Sequence, residues 1–259
     1  MGRLAAFATA AGLALTVGLA GAATDLGDTA WQRLPVTGGA ADATARQSTA
    51  RPAAGVAPRR GRSAPLGAGV LRRTRLRASP GGRVVTRIGR RTAFDGQQIL
   101  AVVARRGRWL GVLHESLPNG RVGWIAARDA RLYSEPWRIV VDRSARTAVV
   151  RRRGKVVERF RVGIGAPGSP TPLGRFAVTD RLVTSGPRSV YGCCILALSG
   201  RQPSLPAGWR GGDRLALHGS PDDRRVGAAV SAGCLVAERA VMERLLRRLP
   251  AGTRVDIRA

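Results

Sequence analysis

The chain has 259 residues, room for one large or two small domains. Its 44 basic against 16 acidic residues give a net charge of +28, almost all of it arginine because Lys155 is the only lysine; polycations are excluded as partners and polyanions are favoured. Three cysteines cannot all pair within one chain, so at least one thiol is left over.

The first residues, MGRLAAFATAAGLALTVGLAGAATD, carry one charge at Arg3, an apolar run from Leu4 to Ala20 and small residues suited to cleavage near Ala22 or Ala23. Residues 1–23 therefore read as a secretory signal peptide, with an uncleaved N-terminal anchor as the other reading. Either way the remainder is expected outside the cytoplasm, in the cell wall or periplasmic space, where nucleic acid is not an expected partner. Residues 24–68 are rich in Arg, Ala, Pro and Gly, as in RPAAGVAPRRGRSAP, and lack the bulky apolar side chains that offset ordering entropy. They read as a flexible linker, either a solvated tether or a basic segment held against anionic wall polymers.

From residue 69 to 133 the pattern changes to short strands separated by turn signals. GVLRRTRLRA, the turn SPGG, RVVTRI, QQILAVVA, RWLGVLH, the turn PNG and RVGWIAA give five or six strands, the spacing of a small barrel. LRASPGGRVVTRI, RGRWLGVLH and GRVGWIAA resemble a bacterial SH3-like domain, which implies a module that binds wall components. His114 lies here and is expected as a rim or surface histidine without a catalytic part.

Residues 137–259 form the last segment. RIVVD, TAVVRRRGKVVERFRV with a turn at Arg153-Gly154, GRFAVTD, YGCCILAL, DRLALHG and TRVDI are strand-like. In YGCCILAL the alternation sends Cys193 and Cys194 to opposite faces, and a disulfide between neighbours is disfavoured. ERAVMERLLRRL (238–249) is the one convincing helix, with Val241, Leu245, Leu246 and Leu249 on one face.

His218 ends the strand RLALHG, and Cys234 follows sixteen positions later, after a loop rich in Gly, Ala and Ser. A thiol attacks carbonyls as thiolate, and a neighbouring imidazole is the group that takes its proton. Gly219 and Gly233 allow sharp turns beside the two reactive side chains. Cys234 stands four residues before Glu238, so a positive helix end is expected to favour its thiolate, and the N–H groups of Gly233 and Cys234 are oxyanion-hole candidates. Spacing alone leaves two readings open: a catalytic couple, or a small buried hydrophobe and a strand-end histidine. A zinc site at Cys193, Cys194, His218 and Cys234 lacks any usual ligand spacing, so no metal and no cofactor is expected.

The order strand–His-Gly, loop, Ser-x-Gly-Cys, helix resembles the catalytic motif of YkuD-type L,D-transpeptidases. Thr171, Pro172, Gly174 and Phe176 in PTPLGRF match the family's Thr-Pro-x-Gly-x-Phe stretch, and YGCCILALSG and AGTRVDI fit as well. The resemblance implies that Cys234 attacks a peptidoglycan tetrapeptide stem, releases D-Ala and passes the acyl group to a neighbouring diamino acid. His218 would be the base, oriented through the carbonyl of Gly219 or Ser220; Ser231 would support the pair, Arg225 would meet substrate, and Tyr191 would line the substrate cleft or simply pack within its strand. Ala232 and Val236 stand where the family commonly has His and a polar residue, with Arg225 or Arg239 as candidates to compensate. Asp222 and Asp223 are read as solvated turn formers rather than a third catalytic member.

The expected fold is mainly β: a small SH3-like barrel, then a β-rich L,D-transpeptidase catalytic domain with one C-terminal amphipathic helix. Two other readings stay open, a catalytically silent wall-binding protein and an L,D-carboxypeptidase that hydrolyses the same acyl-enzyme.

Overall fold

The computed structural model describes residues 66–184 and 189–259. The signal-peptide reading of 1–23 and most of the linker reading of 24–68 lie outside the described residues. The first strand begins at Leu66, inside the stretch read as linker.

Seven strands form the first sheet: β1 Leu66–Val70, β2 Thr74–Arg77, β3 Val84–Ile88, β4 Ile99–Arg106, β5 Trp109–Val112, β6 Gly123–Ala126 and β7 Ala130–Ser134. They run in the order β3-β2-β6-β5-β4-β1-β7 with every pairing antiparallel. GVLRRTRLRA, expected as one strand, is two. Val70 is the last residue paired to β7, Leu71 is exposed and hydrogen-bonded to Asp129, and alternation restarts with Thr74 and Leu76 inward and Arg75 outward. Val70, Leu76, Leu100, Leu110, Val112 and Ile125 fill the core of this unit.

The second unit holds β8 Trp137–Asp142, β9 Thr147–Arg152, β10 Lys155–Arg161, β11 Ile164–Gly165, β12 Gly174–Val183, β13 Cys194–Arg201, β14 Arg214–His218, β15 Ala229–Ser231, β16 Leu235–Val236, α1 Arg239–Arg248 and β17 Arg254–Arg258. Eight of them make a mixed sheet, β10-β9-β8-β17-β12-β13-β14-β16, while β11 and β15 pair in parallel on their own. Arg153 and Gly154 both have positive φ, 50° and 83°, the backbone of a two-residue hairpin between β9 and β10. Helix α1 buries Val241, Met242 and Leu245 against Cys194, Leu196 and Leu198 of β13. Arg247 and Arg248 fall in its last turn, where cations suit the helix dipole.

The cysteine expectation is overturned. Strand β13 starts only at Cys194, because Tyr191–Cys193 turn through Gly192 at φ +64°, and Cys193 and Cys194 are disulfide-bonded to each other. Cys234 is the free thiol.

Candidate active site

One register brings His218 and Cys234 together. Strands β14 and β16 pair in parallel, Leu217 beside Leu235 and His218 beside Val236. Cys234, one step before β16, therefore reaches the Ala216 position of β14. Ala216 and His218 are two residues apart and share a face of the sheet, so the thiol arrives on the histidine's side. Both line a groove of about 240 Å³ together with Tyr191, Gln202, Trp209, Arg225, Ser231 and Ala232.

His218 is only 4% exposed. Its Nδ1–H donates to the Gly219 carbonyl at 2.5 Å, which fixes the tautomer and leaves the lone pair on Nε2. The Tyr191 ring meets the imidazole edge-on, centroids 5.1 Å apart at 86°. Burial pushes the imidazole down to about 4, Arg225 adds to this, and the Gly219 hydrogen bond opposes it. Burial pushes the Cys234 thiol up to about 11, against the backbone of Ala216 and the charge of Arg225. The thiol donates to the Arg214 carbonyl at 3.9 Å. The resting pair is thus neutral, thiol and imidazole. Desolvation penalises both charged forms. Helix α1 starts at Arg239, beyond β16.

Around the thiol the loop is held by side chains. Ser231 Oγ donates to the Cys234 carbonyl at 2.6 Å and accepts the Gly233 N–H at 3.1 Å. The Gly233 N–H is therefore engaged and does not serve an oxyanion, which leaves the N–H of Cys234 as the candidate from this loop. Gly233 has φ +118°, and a Cβ there would stand 2.1 Å from Gln202 Nε2, so glycine is required on two counts. Gln202 donates to the carbonyls of Ser169, Pro170 and Ala232, joining three segments under the groove. Sequence reasoning missed Gln202; a lone polar residue after a buried strand gives no local signal.

Residues 136–257 match the family model of the YkuD L,D-transpeptidase catalytic domain. The protein YkuD of Bacillus licheniformis is 30% identical over 123 residues, which cover 47% of this chain and 66% of that protein. YkuD of Bacillus subtilis is 26% identical over 125 residues, 48% of this chain and 68% of that protein. The solved structure of Bd1075 from Bdellovibrio bacteriovorus is similar at 26% identity and a TM-score of 0.39, covering 48% of each chain. This chain spans about two thirds of the curated relatives' length and about half of Bd1075. Residues 136–257 are an L,D-transpeptidase catalytic domain of the YkuD family.

Within this transpeptidase domain, the two departures from the common motif have distinct settings. Val236 is fully buried, its backbone paired with Gly163 in both directions and its Cβ 3.2 Å from where a Gly163 Cβ would stand. Ala232 lines the groove and leaves it open. Gly219 has no positive φ, so its backbone does not use the left-handed conformation that favours glycine. Ser220 accepts the Asp222 N–H at 3.0 Å and faces a separate groove of about 480 Å³ beside Cys193 and Cys194. Asp222 is occupied with Arg224, and among the described residues no carboxylate acts on His218. Arg225 lines the groove and acts on both His218 and Cys234, whereas Arg239 lies by the separate groove.

The first sheet reaches this site. Arg214, the first residue of β14, donates to the Leu198 carbonyl and to Thr179 Oγ1, and its Nη2 lies 3.7 Å from Glu115 of the first unit. Glu115 also faces His114 Nε2 at 3.6 Å, and Asn119 exchanges two hydrogen bonds with the Arg201 backbone. His114 is 5% exposed, buried between the units rather than on a rim.

Proposed function

We propose that the protein is an exported peptidoglycan L,D-transpeptidase acting through Cys234 and His218, with residues 69–133 as an SH3-like wall-targeting module. The observation that carries this reading is the 240 Å³ groove in which the free thiol and a histidine with an available Nε2 converge. As the donor stem binds, the thiol proton passes to His218 Nε2 and sulfur bonds to the carbonyl carbon before the terminal D-Ala. The oxyanion is met by the Cys234 N–H. On collapse the C–N bond breaks, and D-Ala leaves with the proton from Nε2. The neutral amine of a neighbouring diamino acid then attacks the thioester and gives its proton to His218; as the C–S bond breaks and the cross-link forms, His218 returns that proton to sulfur. Arg225 and Tyr191 border the groove where the stem would lie. Water in place of the amine gives the tripeptide instead.

The test is incubation of the full chain with a disaccharide-tetrapeptide, read by mass spectrometry beside Cys234→Ala. A dimer lighter by one D-Ala, absent with the variant, supports transfer. A tripeptide monomer alone replaces it with the carboxypeptidase reading. No product and no labelling of Cys234 by a carbapenem, an activated acyl donor, overturns both and leaves a wall-binding protein.

A further inference from the structure

The first sheet carries a second groove, about 330 Å³, far from any catalytic residue in sequence. Five arginines line it: Arg73 just before β2, Arg75 and Arg77 on β2, Arg87 from β3, and Arg128 from the turn after β6. In the β2–β3 register Arg75 and Arg87 stand directly opposite each other. Like charges so placed destabilise a sheet. The one carboxylate at the groove, Asp129, is coupled to Arg128 alone among the five. It accepts from Arg72 Nε at 2.7 Å and from Thr74 Oγ1 at 2.6 Å. Some surface arginines elsewhere are matched, as in Arg91–Asp95, Arg239–Glu243 and Arg244–Glu158, while others stand singly; what marks the groove is five of them on one concave face. Among the described residues, none of the five groove arginines makes an ion pair.

Trp109 extends the groove. The guanidiniums of Arg77 and Arg108 lie 5.8 and 5.9 Å from its ring centroid. Together with Ala126 and Arg128 it also lines a neighbouring groove of about 180 Å³ that contains Arg108. The cationic surface is therefore a track passing an aromatic ring, not a pocket converging on one ion. Arginine forks match oxyanions in pairs, and a row of them favours a ligand with repeated charges.

We propose that this track binds an oxyanion-bearing polymer of the cell envelope, its phosphate or carboxylate groups seated on Arg75, Arg87, Arg77 and Arg128 and its polyol or sugar units against Trp109. The choice of an envelope polymer rests on the proposed wall function. The binding assay needs no turnover, so the two readings fail separately.

The full chain is titrated into labelled poly(glycerol phosphate), polygalacturonate and an oligodeoxythymidylate of matched charge, read by fluorescence anisotropy between 50 and 200 mM salt. Arg75→Ser/Arg87→Ser is expected to weaken one of the two envelope-type polymers at least tenfold, and which one names the oxyanion. Arg153→Asn/Arg159→Ser removes the same charge from the β9–β10 hairpin and is expected to change affinity less than threefold. Equal losses in the two variants would reduce the binding to bulk charge and overturn the site. Tenfold tighter binding of the oligonucleotide would overturn the envelope ligand. Urea unfolding midpoints unchanged in both variants show that the fold is intact.

Discussion

The two histidines are buried to the same degree on two different sheets, yet their nitrogens are assigned oppositely. His114 accepts the Ser116 N–H on Nδ1 at 3.0 Å, so its proton sits on Nε2, facing Glu115. His218 donates from Nδ1 to Gly219 and keeps Nε2 unprotonated toward the groove. Burial drives both imidazoles below their ordinary value. Burial and a low pKa therefore do not mark a base. What separates the two is which nitrogen the backbone takes and what lies beyond the other one.

The largest break between them is expected in the rate. His218→Gln removes the proton acceptor and is expected to lower kcat by about 10²–10⁴. His114→Gln is expected to leave kcat within about threefold and to cost stability instead. Steady-state cross-linking and urea unfolding of both variants read the two effects. Comparable kcat losses in both would mean that His218 is a structural histidine like His114.

Next is the charge that His114 shares. Burial pushes the Glu115 carboxyl up, but His114, Arg214 and Arg201 together outweigh it and hold it below the usual carboxylate range. Truncating one member of a buried pair strands the other, at about 3–5 kcal/mol. Glu115→Ala is expected to cost that much, and Glu115→Leu/Arg214→Met to recover most of it. Because the Arg214 carbonyl receives the Cys234 thiol, Glu115→Ala should also slow carbapenem labelling of Cys234. A single-variant cost below about 1 kcal/mol would dissolve the link between first sheet and site.

A pH series sharpens the comparison further. His218 titrates near 4 in the folded chain against an ordinary 6.5, so the unfolded chain binds more protons between those values. Its contribution is complete above about pH 6.5 and is lost as pH falls through 4, roughly 3 kcal/mol in all. Glu135, pushed up to about 7 by burial, slopes the other way, so the readable quantity is wild type minus His218→Gln. That difference should shrink on acidification, and kcat/KM should hold its plateau down to about pH 4. An acid limb near 6.5 would show that the groove is wetter than the structure has it.

What the sequence allowed follows a physical line. The Arg153-Gly154 hairpin and helix 238–249 are local and were legible from turn chemistry and periodicity. His218 and Cys234 were legible because a short Gly- and Ala-rich loop ties them together along the chain. The Cys193–Cys194 bond was not, since the alternation argument assumed a strand where Gly192 makes a turn. Nor was the burial of His114, which depends on Arg214, one hundred positions away. The neutral resting pair belongs to the same class: motif spacing names the partners, but desolvation is set by everything packed around them.

The smallest effect tests what orients His218 on its other side. Tyr191 presents a ring edge to the imidazole, and such aromatic pairs contribute about 0.5–1.5 kcal/mol beyond burial. Tyr191→Phe keeps the ring and should stay within twofold of wild type in kcat. Tyr191→Leu loses the contact and should reduce kcat about two- to tenfold, with KM moving less than kcat if the ring positions the base. A larger shift in KM than in kcat would instead make Tyr191 a wall of the substrate groove. A large loss in Tyr191→Phe would move the weight to the hydroxyl.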